Sequence, residues 1–184
     1  MKNYASLLKI IFCIGMLVLL GFKGQAQQQQ KGQVRNLNGG PIVEYYNAVG
    51  LRLGNQFGIT GKHFMREGNA IEIIVGSHLG RKGVTGTFLY EFHRNAFEAK
   101  RLLWYYGGGG HVGYFKYNEY YEPDNNRYNR SGNFVTVGAD GIIGLEYGLG
   151  IVPLAISADV KPYLNLIGGE AAGVDGAISV RYVF

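Results

Sequence analysis

V-D-G-A-I-S-V-R-Y-V-F, residues 174–184, closes the chain. One parity holds Val174, Gly176, Ile178, Val180, Tyr182 and Phe184. The other holds Asp175, Ala177, Ser179, Arg181 and Val183. Successive side chains of a β-strand point to opposite faces. The segment is therefore a strand with one apolar face ending in two aromatics and one small or charged face.

The same period of two recurs upstream. Runs at roughly 46–54, 57–65, 70–78, 84–94, 102–115, 134–147, 153–166 and 174–184 alternate in this way. The join at Asn55-Gln56 is short, and 66–69 reads as a tight turn. Residues 78–83 read as a polar loop and 95–101 as a turn of mixed charge. The stretch 116–133 is long, polar and rich in Tyr and Asn, and reads as a loop. Eight is an even number, and counting back from Phe184 puts the long stretch 116–133 on the outer side and the tight turn 66–69 on the periplasmic side. This fits an all-β, eight-stranded antiparallel up-and-down transmembrane β-barrel over residues 45–184. In a bilayer no water serves the backbone, so the sheet has to close. Eight strands leave a lumen filled by side chains.

Which face is inside follows from the charges. Arg52, Lys62, Glu72, Glu91, His93, His111, Asp140, Glu146, Asp159, Lys161, Asp175 and Arg181 share the parity opposite the aliphatic residues. A water-soluble barrel would turn that face outward. A membrane barrel turns it inward, where the charges have to neutralise one another. Asp159 and Lys161 are neighbours on one face, so Lys161 is expected to pair with Asp159. Trp104, Tyr106, Tyr114, Tyr147, Tyr182 and Phe184 fall on the outer parity as an aromatic girdle. Ten steps from Trp104 to Tyr114, tilted near 40°, rise about 25 Å, the height of an apolar band.

Residues 1–26 read as a signal peptide. Lys2 and Lys9 precede the apolar run Ile10 to Phe22, and Gly24-Gln25-Ala26 places cleavage after Ala26. The run is too short to span about 30 Å of hydrocarbon as a helix. Cys13, the one cysteine, lies inside it and reads as a plain apolar residue. The formal charge of +5 loses three lysines with the signal, leaving 15 bases against 13 acids. The basic balance is thus no argument for nucleic acid. The mature chain has no disulfide to rely on. Thirty glycines beside 14% aromatics suit short barrel strands. Residues 27–44 have no period and read as a flexible periplasmic lead-in.

Chemistry is hard to place. The four histidines fall on different strands or strand ends, so no metal and no cofactor is expected. Gly108-Gly109-Gly110-His111-Val112-Gly113 fits a dinucleotide pattern but no helix follows, so the match is rejected. Those glycines instead leave room for a bulky neighbour such as Trp104 or Tyr106. Asp124-Asn125-Asn126 lacks the glycine and glutamate of a calcium loop. Ser157 and Ser179 point inward but meet His111 only by an accident of register, so the chain is read as no enzyme.

Four segments carry a family resemblance: the terminal R-Y-V-F, A-D-G-I-I-G-L-E-Y (139–147), D-V-K-P (159–162) and W-Y-Y-G-G-G-G-H-V-G (104–113). On these the chain resembles small bacterial outer-membrane β-barrel proteins of the OmpX and OmpA-barrel type. The resemblance implies a place in the outer membrane, contact with membrane lipid and lipopolysaccharide, and a closing strand read by the barrel-insertion machinery. No peptidoglycan-binding domain follows Phe184, so cell-wall anchoring of the OmpA kind is not expected. The fold type hosts several roles. A structural or surface-interaction role, with a surface protein partner at loop 116–133, is the first reading. That loop carries Tyr117, Tyr120, Tyr121, Tyr128, Arg127 and Arg130, residue types favoured at recognition surfaces. An accessory barrel of a secretion or surface-assembly system is the second, and a lipid A-modifying enzyme the third.

Overall fold

A computed structural model of the protein describes residues 45–65, 68–78, 82–97, 99, 101–121 and 128–184, with side chains at all of these except 117–121 and 128–131. The expected signal peptide, the lead-in and the hairpin tip at 122–127 lie outside the described residues.

Eight strands follow in order: β1 (Asn47–Gly54), β2 (Gln56–Phe64), β3 (Asn69–His78), β4 (Lys82–Asn95), β5 (Leu102–Tyr121), β6 (Tyr128–Gly148), β7 (Leu154–Ile167) and β8 (Ala172–Val183). Each pairs antiparallel with the next, and β8 pairs back to β1, so the sheet is a closed barrel. The end carrying Asn47 and Val183 is called basal here, and the end carrying the β5–β6 hairpin is called distal.

The strands are steeply tilted. Stepping round the ladder from Ala48 leads to Lys62, Glu72, Leu89, Gly109, Asp140, Tyr163 and Gly173. That path starts at the basal edge and ends on β8 beyond the last β1 partner, Ala177. Such stagger is what closing a sheet into a cylinder requires.

The expected loop at 116–133 is a correction. The β5–β6 ladder runs unbroken from Lys116↔Asn133 to Tyr121↔Tyr128, so both flanks of the stretch are strand. Their period was invisible because β4 and β7 stop pairing near Lys116 and Val137. Above that level neither β4 nor β7 pairs with the β5–β6 ribbon. Backbone hydrogen bonds hold it, and they leave no mark on side-chain hydropathy.

The glycine run needs a second correction. Neither Trp104 nor Tyr106 lies against it. A Cβ on Gly109 would meet the Phe88 carbonyl oxygen at 1.8 Å, and one on Gly107 the Tyr90 oxygen at 2.2 Å. The β4–β5 ladder curls so tightly toward the lumen that only bare backbone fits. The seam between β6 and β7 is looser. It bulges at Val137/Gly138, and no pairs form between Gly141-Ile142 and Lys161-Pro162. Pro162 has no N–H to donate there.

The barrel is built inside out relative to a soluble protein. Val180 (44%), Ile178 (57%), Leu145 (44%) and Ile156 (40%) are exposed on the wall, whereas Asp159 and Arg181 are buried in the lumen. Polar and charged residues outnumber apolar ones among the buried side chains. An apolar exterior round a charged interior is stable only where the exterior meets hydrocarbon, so the molecule is a transmembrane barrel. Among the described residues no helix is long and apolar enough to cross a membrane; the strands do so.

The girdle residues Trp104, Tyr106, Tyr114, Tyr147, Tyr182 and Phe184 are all on the outer wall. Trp104 stacks on Tyr106 at 5.1 Å, and Phe92 on Tyr106 at 5.5 Å. All but Tyr114 lie toward the basal end, where β4 ends, β5 and β7 begin, and β6 and β8 run out.

Candidate functional site: the charged lumen

The lumen is organised in tiers, each fixed by the inward parity of its strands. In the basal tier Lys62 of β2 reaches three carboxylates on three other strands. Its Nζ lies 2.8 Å from Glu91, 3.2 Å from Glu146 and 3.3 Å from Glu72. Arg181 of β8 enters from the far side of β1, the strand that pairs with both β2 and β8. Its Nη2 donates to Glu72 at 2.6 Å and its Nη1 to Glu146 at 3.1 Å and to Ser157 at 2.7 Å. The Thr60 hydroxyl donates to Glu72. These groups are buried, and each ion has at least one counter-ion, which is the condition for holding charge away from bulk water.

Beneath the ions lies an aromatic floor. Tyr45, just ahead of β1, sets its ring edge-on to Phe64 at 5.2 Å. Phe64 meets His93 at 4.7 Å, and His93 stacks on Tyr105 at 5.1 Å. Lys62 sits 4.2 Å above the Tyr105 ring, a cation–π contact. The Tyr45 hydroxyl crosses the lumen to donate to Glu146. Burial first, and then the Glu146 carboxylate beside it, push that hydroxyl well above the usual tyrosine range. It is thus a neutral donor at every pH below that range.

In the middle tier Arg52 of β1 donates to Asp159 of β7 at 2.6 Å and lies 3.6 Å from Asp175 of β8. Tyr105 also donates to Asp159, at 3.1 Å. In the distal tier Lys161 pairs with Asp140 at 2.8 Å. The other Asp140 oxygen meets His111 Nδ1 at 2.8 Å, and His111 Nε2 meets Asn165 at 2.8 Å. Asn165 donates in turn to the Glu170 carbonyl.

The expected Asp159–Lys161 pair is not formed. Residues two apart on a strand are separated by about 6.6 Å along its axis. Cross-strand and cross-lumen partners are closer. Asp159 goes to Arg52 and Tyr105, and Lys161 crosses the β6–β7 seam to Asp140.

All the residues named from parity, Arg52, Lys62, Glu72, Glu91, His93, His111, Asp140, Glu146, Asp159, Lys161, Asp175 and Arg181, are buried in the lumen. Their ion pairs fall into three groups, and Tyr105 joins the basal group to the middle one. The lumen roles of Tyr45, Tyr105 and Asn165 carry no mark in the sequence pattern. For Tyr45 no period could help, because it precedes the ladder.

Space inside is scarce. The distal cup lined by His111, Phe115, Phe134 and Tyr163 holds about 30 Å³, room for one water. Two larger hollows, about 640 and 660 Å³, are dents in the lipid-facing wall beside Ile143 and Pro162. No group of three or more His, Cys, Asp or Glu could hold a metal ion among the described residues. His63 faces outward and bonds Asn47 at 2.8 Å. Neither Ser157 nor Ser179 meets His111, whose two nitrogens are taken by Asp140 and Asn165.

No family model matches the chain. No curated protein matches it either. Among solved structures it is similar to the N-terminal β-barrel domain of Pseudomonas aeruginosa OprF, at 13% identity and TM-score 0.47, over 75% of this chain and 95% of that one. It is also similar to Neisserial surface protein A (NspA), at 11% identity and TM-score 0.44, over 75% of this chain and 93% of that one.

Proposed function

We propose that the protein is an integral outer-membrane barrel with a structural or surface-interaction role and no catalytic activity. It is delivered by a cleaved signal peptide, with the basal end toward the periplasm. One observation carries this reading: ionic side chains fill the lumen while aliphatic and aromatic ones coat the wall. Lipid and lipopolysaccharide cover that wall. The β8 strand, ending in Tyr182 and Phe184 on the lipid side, is what the insertion machinery engages. The β5–β6 ribbon, which outruns its neighbours, is the contact surface for a partner at the cell surface. The enzymatic alternative lacks support, since the His111–Asp140 pair directs its second nitrogen to an amide and not to a hydroxyl.

The decisive experiment is electrophoresis of detergent-extracted protein with and without boiling. A membrane barrel keeps its closed form unheated and migrates differently after boiling; coincident bands would overturn the reading. N-terminal sequencing of the extracted protein is expected to begin at Gln27.

A further inference from the structure

We infer that Tyr45 is a removable stopper at the basal mouth of the barrel and that the position of its ring controls access to the lumen from that side. Three observations carry this.

The ring completes the floor. The row Tyr45–Phe64–His93–Tyr105 runs from the chain's entry past β2 and β4 to β5, and the phenol oxygen reaches Glu146 on β6. Tyr45 thus bridges the side of the mouth that the other three rings leave uncovered.

The ring is not rooted in the sheet. The backbone bonds nearest the entry are Phe64 N–H to the Tyr46 carbonyl at 2.7 Å and the paired bonds between Asn47 and Phe184 at 2.9 Å. Tyr45 lies one residue outside them. A rotation at Tyr45 therefore moves the ring without breaking the barrel ladder.

Its departure orphans no charge. Glu146 keeps Lys62 at 3.2 Å and Arg181 at 3.1 Å when the phenol leaves. Withdrawing a neutral donor from a carboxylate that retains two cations costs far less than withdrawing an ion. Among the described residues the distal mouth is covered instead by strand residues, Phe115 and Phe134, stacked at 5.4 Å.

The test uses lumen thiols in the mature chain, whose natural sequence has its one cysteine at Cys13 in the signal segment. Ser179→Cys places a thiol at a fully buried hydroxyl with no hydrogen-bond partner, opposite Arg52. Thr85→Cys places another at a buried, unpartnered hydroxyl of the distal half. Both are treated in detergent with a small charged thiol reagent, with and without Tyr45→Ala. The expected result is slow labelling of both parents and at least about a tenfold faster reaction of Ser179→Cys when Tyr45 is removed. Thr85→Cys should be unchanged. Tyr45→Phe, which keeps the ring and loses the hydroxyl, should fall between. Equal rates at Ser179→Cys with and without Tyr45 would overturn the proposal. So would acceleration at both thiols, which would mean a general loosening of the barrel. Heat-dependent migration, read on the same samples, separates failure of the barrel reading from failure of the stopper.

Discussion

The basal and distal halves of the lumen use the same residue types under different constraints. Basally, Lys62 and Arg181 are shared among Glu72, Glu91 and Glu146, and every member has nearly complete burial. Distally, Lys161 and His111 share a single carboxylate, and His111 retains 8% exposure near the mouth. In the first half the two cations are each shared among several carboxylates. In the second, water can replace a lost partner. The difference teaches that burial, more than the number of charges, decides how far a lumen network is structural.

Several substitutions would break or sharpen that contrast. The largest effect is expected at the junction between the halves. Gly109→Val places side-chain atoms where even a Cβ would sit 1.8 Å from the Phe88 oxygen. The barrel should fail to close, and the unheated band should vanish. Gly141→Ala, whose Cβ meets nothing nearer than Pro162 at 3.4 Å, should leave the unheated band intact.

Next comes Arg181→Ala. It leaves three carboxyls to Lys62 in a dry tier and should cost about 3–5 kcal/mol in reversible urea unfolding from lipid vesicles. Lys161→Ala should cost about 1–2 kcal/mol, because Asp140 keeps His111 and the mouth admits water. Equal losses would erase the contrast between the halves. The smallest effect is expected for Asn165→Ala, about 1 kcal/mol or less. The distal losses should shrink in high salt and the Arg181 loss should not, since screening reaches only groups near solvent.

Much of this was legible in the chain. Eight alternating runs fixed the strand count, and apart from the distal ends of β5 and β6 their bounds agree with the ladders to within about two residues, as in 70–78 against Asn69–His78. The β5–β6 ribbon left no hydropathy period because backbone pairing alone holds it, with no flanking strand on either side. The partner of Lys161 was misassigned because sequence neighbours on a strand are farther apart than residues across a seam. The tight approach at Gly109 left a trace, a run of glycines, without naming the Phe88 backbone as its cause.

Sidedness belongs to the sequence. Whether a residue faces lipid or lumen depends only on counting by two along a strand, and a tilt or a shift of register by two leaves it unchanged. Partnership belongs to the closed barrel. Arg52 with Asp159, Lys161 with Asp140 and Tyr45 with Glu146 bring together residues that share no local pattern. Their meeting is set by the stagger at which β8 returns to β1, a condition on the whole ring that no single segment contains.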